Sequence, residues 1–290
     1  MAQPLGASIA SSSADASVDG EFRMTDKDFL LIAKVLYEDS GIALPSSKSA
    51  LVYSRLAKRL RALGLASFKD YCSLITSHAG ASERVTMLAA LTTNVTHFFR
   101  EPHHFDHLRK TLLPPLLDNA RRGGRVRIWS AGCSKGHEPY SIGLTILDMM
   151  PNAADYDIRI LASDIDPNVV EFGREGLYDD EALKPVSSEL KRKWFTREGG
   201  EFRVADELKA LVAFRELNLI GQWPMKGRFD AIFCRNVTIY FDEPTRQRIW
   251  GRFTQLLEPR AFVYIGHSER MAGAAAEQTT LVGNTIYQLN

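Results

Sequence analysis

The stretch RVRIWSAGCSKGHEPYSIGLTILDMM, residues 125–150, decides the fold. Residues 125–131 carry β-branched Val126 and Ile128 beside Trp129 and read as a strand. Residues 132–138 interrupt it with two glycines and polar groups. From Pro139 to Met150 apolar residues recur at helical spacing. The same order returns downstream: a strand at 158–163 and a helix at 167–173, a strand at 229–234 and a helix at 244–257, then a strand at 261–266. Strands alternating with helices predict a parallel, doubly wound sheet. Open sheets of this kind bind ligands at the carboxyl ends of their strands. Three strand-to-helix junctions there share an acid followed by proline: Glu138-Pro139, Asp166-Pro167 and Glu243-Pro244. Proline suits a first helical turn, and the acids read as helix caps.

No strand pattern precedes Arg125. Helices are expected at 26–36, 48–63, 68–78, 80–93 and 102–119, with Val52, Leu56, Leu60 and Leu63 forming the inner stripe of the second and Gly64 ending it. Residues 1–24 are rich in Ser, Ala and Gly and read as a disordered tail. The expected organisation is α/β: a small N-terminal helical domain at 25–110, then a doubly wound Rossmann-like domain at 111–290. Residues about 176–217 break the rhythm and read as a small antiparallel β-subdomain insertion.

Bulk properties narrow the function. Among 290 residues, 45% are hydrophobic and 24% charged, which suits an ordinary globular core. The net charge of +1 provides no global field toward nucleic acid or an acidic membrane. Cys72, Cys133 and Cys234 lack zinc or disulfide spacing and fit a reducing cytoplasm. Neither a membrane span nor a secretory signal is expected.

The loop Gly132 to Glu138 is neither a dinucleotide fingerprint nor a P-loop. Asp164 ends the next strand, 28 residues after Gly136, where an acid commonly accepts hydrogen bonds from a ribose diol. Glu138, beside the glycines, would repel a phosphate and welcome a cation. A glycine turn, a ribose acid and a second acid together select S-adenosylmethionine over NAD or ATP. Arg235, Asn236 and Tyr240 follow a very apolar strand, so burial would require partners for them. Cys234 reads as a core residue. His103, His104 and His107 read as helix-surface histidines, and no metal is expected. The guanidinium of Arg100 suits bidentate capture of a carboxylate.

These segments together resemble the chemotaxis-receptor glutamate methyltransferases, the CheR family. The matching stretches are TNVTHFFREPHHF (93–105), WSAGCSKGHEPYSIGLTIL (129–147), ILASDIDPNVVEFGREGLY (160–178), LNL (217–219), FDAIFCRNVTIYFD (229–242) and YIGHSE (264–269). The helical start, including SRLAKRLRALGLASF (54–68), is also similar. The resemblance implies methyl transfer from S-adenosylmethionine to receptor glutamates, giving methyl esters and S-adenosylhomocysteine. It implies cofactor contacts at Asn94, Thr96, Arg100, Glu138, Asp164, Asn218, Leu219, Arg235 and Asn236. Arg100 and Tyr240 would lie nearest the methyl group. The implied partner is the cytoplasmic domain of methyl-accepting chemotaxis receptors, met by a monomer recruited to membrane arrays, with no nucleic acid and no membrane insertion.

This chain departs from the family pattern at Lys135, His137 and Thr238; Met is common where Thr238 stands. Lys135 and His137, expected beside the cofactor, leave open a second reading: a non-catalytic regulator that binds cofactor and receptor. A glutamate carboxylate, with a reference pKa of about 4.3, is already ionised at neutral pH, so no general base is expected. Lys48, Arg55, Lys58, Arg59 and Arg61 lie within fourteen residues that hold no acid. Arg55 and Arg59 share one helix face, and with Lys58 they form the expected receptor-docking surface.

Overall fold

The computed structural model describes residues 17, 18 and 20–290. Most of the tail expected at 1–24, namely 1–16 and 19, lies outside the described residues. Ser17–Val18 pairs antiparallel with Met24–Thr25, a short ladder that the sequence reading lacked. The chain forms two compact units. One comprises Leu44–Leu91 with residues up to Val35; the other comprises Thr92–Asn290 with Leu36–Ala43.

The smaller unit is helical: most of Asp26–Ser40, then Ser49–Leu63, Phe68–Thr76 and Ala81–Leu91. Its core holds Phe29, Ile32, Val52, Leu56, Leu60, Phe68, Tyr71, Ile75 and Met87, all buried. Leu63, assigned to the inner stripe, is 39% exposed, because the helix stops there at left-handed Gly64 (φ 65°). The basic helix also differs from expectation. Arg59 donates from Nε and Nη2 to buried Glu83 at 3.0 and 2.7 Å, and the Tyr71 hydroxyl donates to the same carboxylate at 3.0 Å. Arg55 donates to the carbonyls of Ala90 and Leu91. Both guanidiniums therefore tie helices together, while Lys58 is exposed.

The larger unit is built on a seven-stranded sheet. We number its strands β1 (Val126–Ala131), β2 (Ile158–Asp164), β3 (Val212–Glu216), β4 (Phe229–Cys234), β5 (Leu257–Ile265), β6 (Thr279–Gly283) and β7 (Ile286–Leu289). Their spatial order is β3-β2-β1-β4-β5-β7-β6. The first five run parallel, and β7 and β6 close the far edge antiparallel. Alternate side chains feed two cores. Val126, Ile128, Ile160, Phe233 and Tyr264 pack on one face against helices at Leu113–Arg121 and His137–Met149. Trp129, Ile232, Cys234 and Val263 pack on the other against Trp250 and Phe253 of Glu243–Gln255.

Two details correct the reading from sequence, and the antiparallel insertion bears it out. Residues 212–216, placed in the insertion, form the sheet edge strand β3, parallel to β2. The inserted sheet is Leu177–Tyr178, Glu201–Val204 and Phe195–Glu198, with the hairpin turning at Gly199. The helices from Pro102 to Arg121, which the expected boundary at 110 divides between the two domains, lie wholly in the larger unit and contribute Phe105, Leu108, Leu112 and Leu117 to its core.

The Arg59–Glu83 pair generates a stability prediction. Arg59→Ala leaves the buried Glu83 carboxylate with the Tyr71 hydroxyl but without the Arg59 cation, so unfolding free energy should fall by about 2 kcal/mol, between surface and buried ion-pair values. Urea denaturation measures this. A change below about 0.5 kcal/mol, the scale of ordinary surface substitutions, would show that the pair does not hold the helices.

Candidate active site

The chain reverses direction across the sheet between β1 and β4, and the carboxyl ends of β1, β2, β3 and β4 supply most of the candidate residues. The loop after β1 is clamped to β2. Gly132 N and Cys133 N both donate to the Ser163 carbonyl, and Ser134 N donates to Asp164 Oδ2 at 2.8 Å. Gly132 (φ 82°) lies so near Val237 that a Cβ would stand 2.3 Å from a Val237 methyl. The glycine here serves loop-on-loop packing. The left-handed conformation of Gly136 opens the helix His137–Met149, so Glu138 sits in its first turn instead of capping it. Asp166 does cap its helix through Asn168 N, whereas Asp242, not Glu243, caps the third.

Asp164 is buried, and each carboxylate oxygen accepts one backbone N–H, from Ser134 and from Asp166. Burial raises its pKa while those two bonds oppose the rise. A carboxylate accepts up to about four hydrogen bonds, so Asp164 retains capacity for a diol. Asn94 joins the cluster, donating to Asp166 Oδ2 at 3.1 Å and accepting from the Ser134 hydroxyl at 3.4 Å. Beyond β3, Asn218 donates to the Asp39 carbonyl and accepts from Ile220 N, while the Leu219 carbonyl accepts from Trp223 and Arg252. Arg252 also stacks on Trp223 at 3.6 Å, which rigidifies this loop.

The second cluster surrounds Arg235, whose side chain is 2% exposed. Its guanidinium meets Glu138 at 3.1 Å and Glu101 at 3.4 Å, and it donates to the Arg100 carbonyl. The other Glu138 oxygen accepts from Ser130 at 2.7 Å. Burial raises the Glu138 pKa, while Arg235 and Ser130 pull it down. Glu138 is thus already neutralised by Arg235 and is not the open carboxylate that the sequence suggested for a cationic ligand. Thr96, Arg100 and Tyr240 are not drawn into these clusters. The Arg100 guanidinium donates to the Val95 carbonyl at 3.1 Å, and Tyr240 is 36% exposed. Glu101, Ser130 and Glu269 were missed. Glu269 follows β5 as Asp164 ends β2, and the same strand-end rule would have singled it out.

His137, expected beside the cofactor, is buried against Phe98 and Tyr178, and burial pushes its pKa down to about 4. Lys135 is exposed, 5.3 Å from the centre of the Phe172 ring. Glu101, His103 and His104 place ligand-type atoms within 4.8 Å of one another. The Arg235 charge, 3.4 Å from Glu101, opposes a cation there, while His104 and His103 engage Thr285 and the Asn284 carbonyl through Nε2.

The donor set fits S-adenosylmethionine. Asn236 Oδ1 is buried with no hydrogen-bond partner among the described residues, an acceptor that a donor on the cofactor would satisfy. Asp164 offers free acceptor sites, and the Asp164–Asp166–Asn94 cluster contains no cation to hold a phosphate. Fold and acceptor chemistry together fit a methyltransferase that uses S-adenosylmethionine.

Comparison with known proteins specifies the family. A family described as "CheR methyltransferase, SAM binding domain" matches residues 94–287, and "CheR methyltransferase, all-alpha domain" matches 27–92. A Rhizobium etli protein named "Probable chemotaxis protein methyltransferase" is 54% identical, covering 88% of this chain and 96% of its own length. "Chemotaxis protein methyltransferase 2" of Pseudomonas aeruginosa is 43% identical over 92% of this chain and 94% of its own. "Chemotaxis protein methyltransferase" of Escherichia coli is 42% identical over 92% of each chain. The chain belongs to the CheR methyltransferase family. No helix among the described residues is long and apolar enough to cross a membrane.

Two predictions arise from this geometry. Asp164→Asn keeps the shape but loses the charged acceptor, so the Kd for S-adenosylhomocysteine should rise about tenfold or more, the equivalent of roughly 1.5–3 kcal/mol. Calorimetry giving an unchanged Kd would remove Asp164 from the cofactor contacts. The second prediction concerns pH. His137 is neutral in the fold down to about pH 4, while the unfolded chain protonates near 6.5. Its contribution to stability is therefore fully present above pH 6.5 and lost as pH falls toward 4. His137→Phe should flatten the decline of Tm between pH 6.5 and 4.5; parallel curves for the two proteins would show that His137 does not carry it.

Proposed function

We propose that the chain transfers a methyl group from S-adenosylmethionine to glutamate side chains in the cytoplasmic domain of methyl-accepting chemotaxis receptors. The single observation that carries this reading is Arg100. Its guanidinium has a carbonyl partner but no carboxylate partner among the described residues. Its own carbonyl is pinned by Arg235, so the loop is held while the side chain keeps its charge for an incoming anion. The names of the relatives above support the same substrate setting.

When bound, the cofactor supplies an electron-poor methyl carbon. The chain's own task is positional. Arg100 holds the substrate carboxylate by its guanidinium fork, and Tyr240 stands by to orient it. Asp164 and Asn236 anchor the cofactor, with Asn94, Thr96, Asn218 and Leu219 completing its surroundings. Arg235 and Glu138 act from behind, holding the Arg100 loop. Because the nucleophile is already ionised, no side chain has to remove a proton, and rate is gained by alignment and exclusion of water. The receptor meets the helix Ser49–Leu63 through exposed Lys58, with Arg55 and Arg59 keeping that helix in place. The protein works as a cytoplasmic monomer recruited to receptor arrays.

The test is labelled methyl transfer from S-adenosylmethionine to a soluble receptor fragment. The parent should form base-labile esters on glutamate. Arg100→Ala should reduce turnover about a hundredfold or more, while S-adenosylhomocysteine affinity falls less than tenfold. Unlabelled receptor with the parent, or near-parental turnover by Arg100→Ala, would overturn the reading.

A further inference from the structure

The most heavily bonded buried carboxylate in the larger unit is Glu269, and neither the cofactor nor the substrate assignments use it. It follows β5 and is 2% exposed. Oε1 accepts from Val237 N at 3.1 Å, Thr238 N at 2.8 Å and the Thr238 hydroxyl at 2.7 Å. Oε2 accepts from Asn236 N at 2.8 Å and Gly266 N at 2.6 Å. No cation pairs with it among the described residues. Neutral donors alone hold the charge, in the manner of a backbone nest around an anion.

Three successive amides that converge on one carboxylate impose a particular backbone path. Asn236 takes a left-handed conformation, φ 60°, which a side-chain-bearing residue rarely adopts without being held. Gly266 leaves room for this path: a Cβ there would stand 2.7 Å from Asn236 Nδ2 and 2.8 Å from both Asn236 N and Glu269 Oε2. The outcome is an Asn236 side chain whose Oδ1 is buried and unpaired, directly after Arg235.

We propose that Glu269 is a positioning residue: from the end of β5 it clamps residues 236–238, so that Asn236 faces the cofactor while Arg235 meets Glu138. The Thr238 hydroxyl is part of the clamp, a bond that a methionine at this position would not make. The inference rests on the cofactor reading of Asn236. Loss of the clamp leaves the sheet in place and frees the loop, so the effect should appear in cofactor affinity and in local amide exchange.

The test uses the full chain. Glu269→Gln puts an amide N–H₂ among N–H donors, and Thr238→Val removes one hydroxyl at nearly constant shape. Glu269→Gln should raise the Kd for S-adenosylhomocysteine at least tenfold, and Thr238→Val two- to fivefold. In both, exchange at the amides of residues 236–238 should accelerate about tenfold or more, while those of Ile128 and Trp129 in β1 keep parental rates. If Glu269→Gln does not fold, Thr238→Val decides alone. Parental Kd and parental exchange at 236–238 would overturn the proposal, as would exchange accelerated equally in β1, which marks a merely structural role. A parent that binds no S-adenosylhomocysteine would refute the cofactor reading instead, and the local exchange pattern would still judge the clamp.

Discussion

A guanidinium removed from water at Arg235 constrains the larger unit. Its side chain is 2% exposed and touches three segments that are distant in sequence: the loop at 100–101, the first turn of His137–Met149 and the exit of β4. Burying a charge is costly unless it is paired and hydrogen-bonded. Here Glu138, Glu101 and the Arg100 carbonyl share that compensation, while Ser130 satisfies the far side of Glu138. Such a cluster is a poor source of net stability but a strong source of registry, since any slippage strands a charge. It converts the topological switch between β1 and β4 into a fixed location for Arg100. Backbone strain gathers at the same place, with Phe99, Glu101 and Asn236 all in the left-handed region.

The sheet was legible because its signals are local. Residues 126–131 and 229–234 alternate between the two cores, and the helices that follow begin within a residue or two of the expected places. Strand β3 escaped because VAFRE carries only a weak apolar signal and sits at an edge, where one side lacks a neighbour to demand apolar residues. The helix after Pro102 was recognised, but its allegiance was not. Leu108, Leu112 and Leu117 are as compatible with a helical bundle as with the face of a sheet, and periodicity names a buried face without naming its partner.

The candidate site was legible by position and less so by role. Asp164 and Asn236 stand at strand ends or just beyond them, as expected, Asn94 bonds to Asp166 and Ser134 beside them, and their contacts are consistent with holding a cofactor. Glu138 and Arg235 stand there too, but each satisfies the other. A sequence displays two charged residues and cannot display that they meet at 3.1 Å across 97 positions. The basic helix teaches the same lesson. Arg59 and Lys58 are adjacent and look alike in a charge count, yet one grips buried Glu83 and the other is exposed to water. Charge runs over-report docking surfaces for this reason: arginines near a helix interface are attractive partners for buried acids and carbonyls.

The distribution of charge also bears on the proposed reaction, which calls for no acid–base machinery. A carboxylate nucleophile must lose water before it attacks, and a bare cation aids that step by replacing water with a fixed fork of donors. A guanidinium already bound to a carboxylate would contribute little. The fold keeps the two arginines of the candidate site in opposite conditions: Arg235 buried between Glu138 and Glu101, and Arg100 partly exposed, with the Val95 carbonyl but no carboxylate beside it among the described residues. The first supplies rigidity without being available; the second is available because the first holds its backbone. Separating those duties between two residues allows a buried ion cluster to fix geometry without quenching the charge of Arg100.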